Sequence, residues 1–339
     1  MRRRIVVRTA ATAATVALAL ATAACGQEGG SSNASGNSSN ASGNSSGAAG
    51  NSSGGKSKIC LVMKSLGNEY FQTMQKGAEQ HASELGNVDL TSVGIQNETD
   101  IDGQIAAIDK CITQKAQGLV IAPADSKALI ASIKRASNAG LKVVNIDVKL
   151  DDAGLKSAGL DVPFVGPDNA DGAKQSGTKL AQALGAGGKV VILEGNPGAA
   201  NAEQRKNGFQ DAVKAGQLNL VDSKTAHWET DEAYTVFSNM LTAHPDLQGV
   251  LASNDSMALG ALKAIKAAHK ENQIKVASFD NIDAIKPYVK DGSVVATVDQ
   301  YASQQAGDGI DQVLKLIAGQ PVTGWVKTDV KVVTQADLG

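Results

Sequence analysis

Amide and carboxylate side chains follow several apolar runs of this 339-residue chain, at the point where each run ends. These residues are Asn68, Asp147, Asn254, Asp255, Asp280 and Gln300. Asn and Asp also cap helices, and capping is the favoured interpretation of Asp255, but capping alone explains poorly why five runs end in this way. Carboxylates accept hydrogen bonds from hydroxyl groups, and amides both donate and accept them. The pattern therefore indicates a site for a polar ligand.

The elements that must position these side chains are short apolar runs separated by longer amphipathic stretches. The runs are ICLVM, GLVIAP, KVVNID, KVVILEG, GVLASND, KVASFD and SVVATVDQ. Apolar strands with helices between them are typical of parallel sheets covered on both faces, and ligands bind beyond the carboxyl ends of such strands. The alternation breaks near LDVPFVGPDNADGAKQSG and then starts again. We predict an α/β protein with two sheets of about five or six strands each and a site between them.

Two adjacent aromatic residues, Tyr70 and Phe71, stand out in the segment SLGNEYFQTM because only 3% of the chain is aromatic. The segment follows the first apolar run and precedes a predicted helix. Neighbouring residues on a helix point about 100° apart, so the two rings cannot both lie in one core-facing stripe. At least one ring is therefore available for another role.

The charge balance and the motifs exclude several classes of protein. With 32 basic and 34 acidic side chains, the chain has no basic field for nucleic acid. The sequence contains no HExxH motif and no P-loop, and its four histidines are scattered, so we predict neither an enzyme nor a metal or cofactor site. Asp147 and Asp280 could imitate the carboxylate pair of a glycosidase, but two acceptors of hydroxyl hydrogen bonds are the favoured interpretation.

The first 25 residues, MRRRIVVRTAATAATVALALATAAC, have the features of an export signal. Arginines precede an apolar run of about 16 residues, which is short for a membrane span, and small residues precede Cys25. This end resembles the lipobox of bacterial lipoproteins, in which the cysteine is lipidated and becomes the new N-terminus. Thr22 departs from the usual Leu or Val, and an ordinary cleaved signal peptide is the alternative.

Residues 26–57 consist almost entirely of Gly, Ser and Asn and include the repeat SNASGNS. They contain no residue that would build a core, so we predict a disordered tether. A flexible segment of ~30 residues has a mean reach of roughly 30 Å, enough to hold a folded body away from a membrane. The Asn-x-Ser triplets are attributed to the biased composition.

Two further cysteines, Cys60 and Cys111, lie in the predicted folded part. In a doubly wound sheet of strand order 2-1-3, the right-handed crossover from the second strand to the third carries the helix of Cys111 over the strand of Cys60. An oxidising compartment would join them in a disulfide. Because Cys111 lies at the edge of an isoleucine stripe, two buried free thiols are the alternative.

Eight segments resemble, in order from about Lys58 to the C-terminus, the ribose/galactose class of type I periplasmic sugar-binding proteins. They are NEYFQTMQKGAE, LVIAPADSKAL, VVNID, GPDNADGAKQSG, EQRKNGFQDAV, GVLASNDSMALGALKAI, FDNIDAIK and VVATVDQYASQQAG. The resemblance implies two Rossmann-like lobes, residues 58–167 plus 301–327 and residues 168–300 plus 328–339. It also implies a three-stranded hinge, near residues 166–168, 300–301 and 327–329, and closure around one sugar.

The resemblance also implies a set of ligand-binding residues. The aromatic members are Tyr70, Phe71 and Trp228, and the polar members are Asn68, Asp147, Arg205, Asn254, Asp280 and Gln300. Lys64 is added because arabinose-binding relatives place a sugar-contacting lysine there. The alternatives are a solvated strand-end side chain for Lys64, an exposed helix side chain for Arg205 and core filling for each aromatic.

Three positions depart from the ribose-binding pattern. Ala122, Val148 and Pro167 replace an Asn, an Arg and a Ser. Because a site built to pair a hydroxyl discriminates strongly, the loss of these groups argues against ribose and favours another monosaccharide or a polyol.

The class implied by the resemblance is an exported, monomeric receptor that delivers its ligand to the permease subunits of an ABC importer. With Cys25 lipidated, it would be anchored to the outer face of the cell membrane by lipid alone. A sensory receptor that presents its closed form to a membrane signalling partner is the alternative. The sugar-sensing repressors that share this fold carry a helix-turn-helix where this chain has an export signal.

Overall fold

The structure is a computed structural model, and it describes residues 55–322 and 324–339, which belong to one compact unit. The predicted signal segment, Cys25 and nearly all of the predicted tether lie outside the described residues. The first strand begins at Ser57, the last residue assigned to the tether. None of the helices in the described ranges is long and apolar enough to cross a membrane.

Twelve strands and eleven α-helices alternate along most of the described chain. The strands are β1 Ser57–Ser65, β2 Val88–Ile95, β3 Gly118–Ile121, β4 Lys142–Ile146, β5 Phe164–Pro167, β6 Lys189–Glu194, β7 Asn219–Thr225, β8 Gly249–Ala252, β9 Lys275–Ala277, β10 Val294–Asp299, β11 Trp325–Thr328 and β12 Lys331–Val333. The helices are α1 Glu69–Leu85, α2 Ile101–Thr113, α3 Ile130–Asn138, α4 Asp152–Ala158, α5 Asn169–Leu184, α6 Ala200–Ala215, α7 Thr230–Ala243, α8 Asp255–Ala267, α9 Lys286–Lys290, α10 Ala302–Ile317 and α11 Gln335–Leu338. A 3₁₀ turn, Asp283–Ile285, precedes α9.

The strands form two six-stranded sheets. The first has the order β11-β5-β4-β3-β1-β2 and the second has the order β12-β10-β9-β8-β6-β7. All neighbours are parallel except β10 and β12. The predicted fold class, with two parallel-sheet α/β lobes, is therefore confirmed.

The chain passes between the two sheets three times: from β5 to α5, from β10 to α10, and from β11 to β12. Helix α5 packs on α6 and β10 of the second sheet, whereas α10 packs on α1 and β4 of the first. Each lobe is therefore completed by chain that returns from the other. We call the body around the first sheet the first lobe and the body around the second sheet the second lobe.

The central strands are apolar because they are covered by helices on both faces. Every residue of β3 and β8 is buried. In the first lobe, Cys60 of β1 and Cys111 of α2 are joined by a disulfide within an apolar cluster that includes Ile108 and Leu119. The structure thus has the disulfide rather than the two free thiols.

Candidate functional site

A narrow cavity lies between the carboxyl-terminal edges of the two sheets. All ten residues predicted to bind a ligand line it, together with Asn201, which was not predicted. From the first lobe these are Lys64, Asn68, Tyr70, Phe71 and Asp147; from the second they are Asn201, Arg205, Trp228, Asn254 and Asp280; and Gln300 lies on a crossing. Polar and aromatic side chains from both lobes therefore surround one narrow space.

Both members of the adjacent aromatic pair reach this cavity. Tyr70 and Phe71 lie in the first turn of α1, are 3% and 1% exposed, and have ring centroids 5.0 Å apart at an interplanar angle of 84°. The edge-to-face arrangement allows two neighbouring helix residues to line one surface. The Tyr70 hydroxyl has no hydrogen-bond partner among the described residues. Burial, and then the charges of Asp147 and Asp280, raise the pKa of Tyr70 well above its usual value, so the hydroxyl keeps its proton.

The second lobe supplies its ring from the loop between β7 and α7. Trp228 is 2% exposed and belongs to the apolar core as well as to the cavity wall, so core filling and cavity lining are both correct for this side chain. Its indole Nε1–H is buried without a partner in the described part of the chain. Gly195 lies under the ring so closely that a Cβ there would overlap the indole, which explains the glycine.

Several cavity residues have a left-handed backbone, although none is glycine. The φ angles are 63° at Asp147, 72° at Trp228 and 120° at Asp280, and Tyr301, next to Gln300, has φ 55°. Such conformations are unfavourable for residues with a Cβ and persist where the surrounding structure imposes them, often at binding sites. Three separate loops are therefore bent so that their side chains reach one cavity.

Arg205, on α6, is the fixed cation of the second lobe. The guanidinium carbon lies 3.8 Å from the ring centroid of Phe279, Nε donates to Asn169 Oδ1 at 2.9 Å, and Nη1 donates to the Ser253 carbonyl oxygen at 2.9 Å. The side chain is 3% exposed, so the exposed-helix interpretation of Arg205 is wrong. A planar guanidinium held in this way offers its remaining donors in a fixed direction.

Asp280 follows β9 and faces Arg205. Its Oδ1 lies 3.5 Å from Arg205 Nη1 and accepts a hydrogen bond from Gln300 Nε2 at 2.7 Å. Burial raises the pKa of Asp280 well above the usual value, and the Arg205 charge opposes this shift. A carboxyl group in this position has an unfavourable environment until a ligand supplies further donors.

Asn68 and Asn254 serve two purposes at once. Asn68 Oδ1 accepts from the backbone N–H of Tyr70 and caps α1, and Asn254 Oδ1 accepts from the N–H of Met257 and caps α8. The capping interpretation is therefore correct for both, and both also line the cavity. Asn68 Nδ2 also donates to Glu98 and Asn254 Nδ2 to the Trp228 carbonyl oxygen, so each residue has one amide N–H left for a ligand.

The capping interpretation is wrong for Asp255. Asn254 caps α8, and the carboxylate of Asp255, which is fully buried, instead joins three other segments. Its oxygens accept from the Ser278 and Thr297 hydroxyls and from the backbone N–H of Ile282. Asp255 therefore holds together the strand ends that carry the site rather than lining the cavity itself.

Two buried acceptors in the cavity have no hydrogen bond from any described residue: Asp147 Oδ2, after β4, and Asn201 Oδ1, in the first turn of α6. Burial raises the pKa of Asp147, and the charges of Lys64 and Arg205 lower it. A buried polar atom without a partner is costly in a folded protein. These atoms are suited to accept hydrogen bonds from a ligand.

Lys64 is 3% exposed, so the solvated interpretation of this lysine is wrong. Its Nζ lies 5.1 Å from the ring centroids of both Phe71 and Trp228, which belong to different lobes. Its ion-pair partner is Glu98, at 3.0 Å, a residue that the sequence analysis did not identify.

The two lobes touch at the rim of the cleft. Ser126 N–H donates to the Gly198 carbonyl oxygen at 2.9 Å, Asn196 Nδ2 donates to the Ala124 carbonyl oxygen at 3.1 Å, and Glu98 N–H donates to Glu229 Oε1 at 2.9 Å. These bonds close the cavity, so the structure is the closed form.

A two-lobed α/β body with a small polar cavity at the strand ends, lined by rings from both lobes, has the architecture of a receptor for a small solute. The comparison with known families agrees: the model of the periplasmic binding protein domain matches residues 59–321. The chain therefore belongs to the periplasmic binding protein family.

Similar proteins support this assignment. The D-ribose/D-allose-binding protein of Pseudomonas aeruginosa is 48% identical over 284 residues, which are 82% of this chain and 89% of the relative. The crystal structure of an ABC transporter solute binding protein from Burkholderia multivorans is 48% identical, has a TM-score of 0.80, and is matched over 83% of this chain and 100% of its own. A second such protein, from Actinobacillus succinogenes with bound D-allose, is 35% identical with a TM-score of 0.79, over 84% and 99% of the two chains.

Proposed function

We propose that this protein is a receptor that encloses one monosaccharide or polyol between its lobes and delivers it to an ABC importer. One observation carries the proposal: rings from both lobes and unpartnered buried polar atoms line the same small cavity. A sugar has apolar C–H faces that pack on rings, and hydroxyl groups at its edges that donate and accept hydrogen bonds. A binding role, rather than catalysis, is what the family indicates.

The charged groups are numerous enough for tight binding. Hydrogen bonds to charged groups contribute roughly 1.5–3 kcal/mol each, and the cavity offers Asp147, Arg205 and Asp280. Three such bonds, less the cost of ordering ligand and lobes, are comparable with the ~8 kcal/mol that corresponds to micromolar affinity.

Closure couples binding to transport in this proposal. The lobes, residues 58–167 plus 301–327 and residues 168–300 plus 328–339, would rotate about the three crossings near residues 166–168, 300–301 and 327–329. Only a ligand that contacts both lobes can shift the equilibrium toward the closed form. The permease subunits would then bind the closed form in preference to the open one.

D-allose and D-ribose are the first ligands to test, because a relative of 48% identity is named for both and a structural neighbour contains D-allose. The departures at Ala122, Val148 and Pro167 argue against D-ribose but do not by themselves select D-allose. Lys64, which is buried in the cavity wall, adds a charged hydrogen-bond donor to the site.

The proposal includes export and a lipid anchor at Cys25, with the protein acting as a monomer. The support for export and for the anchor is the sequence pattern of residues 1–25. Fractionation of cells that produce the full chain would recover the protein with the membrane, and the Cys25→Ala variant would be released. Recovery of both proteins in the same soluble fraction would contradict the anchor.

The function is tested by a thermal-shift screen of the purified protein against pentoses, hexoses, polyols and inositols, followed by calorimetry. A ligand present at 100 times its Kd stabilises the folded protein by about 2.7 kcal/mol, which raises the melting temperature by several degrees. We expect D-allose to give the largest shift. The absence of a shift with every sugar and polyol would overturn the proposed function.

A further inference from the structure

Glu98, in the loop between β2 and α2, is a buried carboxylate that the ligand-binding set does not include. It is 1% exposed. Its Oε1 accepts from Asn68 Nδ2 at 3.0 Å, and its Oε2 lies 3.0 Å from Lys64 Nζ. Each carboxylate oxygen of Glu98 therefore contacts a different cavity residue, although Glu98 itself does not line the cavity.

Lys64 is the charged partner of Glu98, and its ammonium group lies at ion-pair distance from Oε2, which accepts no hydrogen bond from a described residue. A lysine side chain has four rotatable bonds and a compact charge, so it has no intrinsic preference for one position. Within residues 55–322 and 324–339, Glu98 is the only carboxylate that forms an ion pair with Lys64. The pair holds the Lys64 ammonium group 5.1 Å from the Phe71 and Trp228 ring centroids, between the surfaces that would enclose a sugar.

The ammonium group has donors left for a ligand. It carries three N–H bonds and cannot accept a hydrogen bond. No described residue forms a second ion pair with it, and the cavity next to it contains the unpartnered Asp147 Oδ2. A ligand oxygen that faces Lys64 must therefore accept a hydrogen bond. A ligand group that faces Asp147 must donate a hydrogen bond when that carboxylate is ionised. A hydroxyl can do both.

The loop that carries Glu98 also contacts the other lobe. The backbone N–H of Glu98 donates to Glu229 Oε1 at 2.9 Å, and Glu229 directly follows Trp228. The position of Glu98 is therefore fixed from both sides in the closed form: by Asn68 and Lys64 in its own lobe, and by Glu229 across the cleft. This is the form in which a ligand would be selected.

We infer that Glu98 is a positioning residue that sets sugar selectivity by holding the Lys64 ammonium group against one ligand hydroxyl. This inference rests on the proposed function and adds to it a requirement: the ligand carries an oxygen acceptor at the edge of the cavity next to β1. A carboxylate that only neutralised a buried lysine would affect all ligands equally. A positioning residue affects the ratio of two affinities.

The experiment compares the best-binding sugar with its monodeoxy analogues by calorimetry. In the unmodified protein, the analogue that lacks the hydroxyl facing Lys64 should bind roughly 10- to 100-fold more weakly, because one hydrogen bond to a charged group is lost. In Lys64→Met that penalty should disappear, which identifies the hydroxyl. In Glu98→Gln the same penalty should fall at least tenfold, and Glu98→Asp should restore part of it.

Two further variants keep the test informative. Asp102→Asn, four residues along the chain at an exposed position, makes the same change in charge and should leave the penalty unchanged. Lys64→Met/Glu98→Gln removes both charges and keeps an acceptor for Asn68, so it should fold and bind sugar and analogue equally.

The outcomes separate this inference from the proposed function. If Glu98→Gln weakens all ligands by one factor and leaves their ratio intact, or if no penalty disappears in Lys64→Met, the inference is wrong and the function stands. If the unmodified protein binds no sugar or polyol, the function is wrong and the inference falls with it.

Discussion

Glu69, the first residue of α1 in the first lobe, accepts a hydrogen bond at 2.8 Å from the backbone N–H of Asp283 in the second lobe. The second oxygen of Glu69 accepts from the next N–H, that of Ala284, at 3.3 Å. The carboxylate thus caps the 3₁₀ turn Asp283–Ile285 from across the cleft, where helix starts favour negative charge. This contact, like that of Ser126 with Gly198, exists only while the lobes are together.

Glu69→Ala should therefore weaken ligand binding without weakening the fold. A partly exposed hydrogen bond of this kind contributes about 1 kcal/mol, so we expect the Kd to rise roughly fivefold, mainly through faster dissociation. Stopped-flow measurement of Trp228 emission in a Trp325→Phe background would give the rates, since the chain has two tryptophans. Glu84→Ala, at an exposed position of the same helix, is the control. An unchanged dissociation rate would show that the Glu69 contact contributes nothing to closure.

Gly198→Val should hold the lobes apart. A Cβ at Gly198 would overlap the carboxylate of Asp125 in the closed form. That carboxylate cannot move away freely because it accepts from the N–H groups of Lys127 and Ala128, at 2.7 Å and 2.8 Å. We expect the Kd to rise at least about tenfold while the ligand-free melting temperature stays the same. Adding Asp125→Ala should restore most of the affinity, and failure of this rescue would contradict the steric explanation.

The central strands could be predicted from the sequence, whereas the edge strands could not. β3 and β8 are buried on both faces, and their sequences are continuous apolar runs. β2 and β7, which lie at the ends of the sheets, are mostly half-buried, and their sequences VDLTSVGI and NLVDSKT mix polar with apolar residues. A strand with one free edge needs less apolar surface, so hydrophobic runs alone do not reveal it.

The same limit explains which site residues were missed. Asp147 and Asp280 follow apolar strands that are easily recognised, but Glu98 follows the edge strand β2. Asn201 had a usable signal: it lies four residues before Arg205, so both are on one face of α6. The pairing of Glu98 with Lys64 depends on two loops that meet only in the folded lobe, and no spacing in the sequence encodes it.

Removal of the disulfide should lower stability but not affinity. Cys60 and Cys111 are 51 residues apart, and closing a loop of that length in the unfolded chain corresponds to about 4 kcal/mol. The Cys60→Ala/Cys111→Ala variant should therefore unfold at a clearly lower urea concentration, with an unchanged Kd because both residues lie outside the cavity. Thiol titration in denaturant, with Cys25→Ala to remove the third cysteine, checks the bond. Two reactive thiols without reductant would contradict it.

The free energy of unfolding should depend on pH through Asp255. Burial raises the pKa of Asp255 from 3.8 to about 7, so between these values the folded protein holds a proton that the unfolded chain has lost. By linkage, the contribution of Asp255 to stability is greatest below pH ~4, falls as the pH rises toward 7, and levels off above that value. The shifts of Asp147, Asp280 and Glu98 act in the same direction. The lowered pKa of Asp337, about 2, acts in the opposite direction.

Urea unfolding of the unmodified protein and of Asp255→Asn, at pH values from 4 to 8, isolates the contribution of Asp255. The difference in stability between the two proteins should change with pH, because asparagine cannot ionise. If that difference stays constant over the whole range, Asp255 does not titrate there.

Asp280→Ala should abolish ligand binding and leave the fold intact. The buried carboxylate has its pKa raised by desolvation, so its removal relieves an unfavourable environment, and Arg205 keeps its bonds to Asn169 and the Ser253 carbonyl oxygen. A ligand hydroxyl that donates to Asp280 would lose a charged acceptor, and Arg205 would lose its nearest counter-charge, so we expect the Kd to rise by at least about 100-fold.

Calorimetry measures the Kd of Asp280→Ala, and thermal melting of the same sample measures its melting temperature. Asp283→Asn, three residues later with an exposed side chain, removes the same charge and should bind as the unmodified protein does. Near-native affinity in Asp280→Ala would mean that this cavity is not the binding site, and a large fall in melting temperature would mean that Asp280 supports the fold instead.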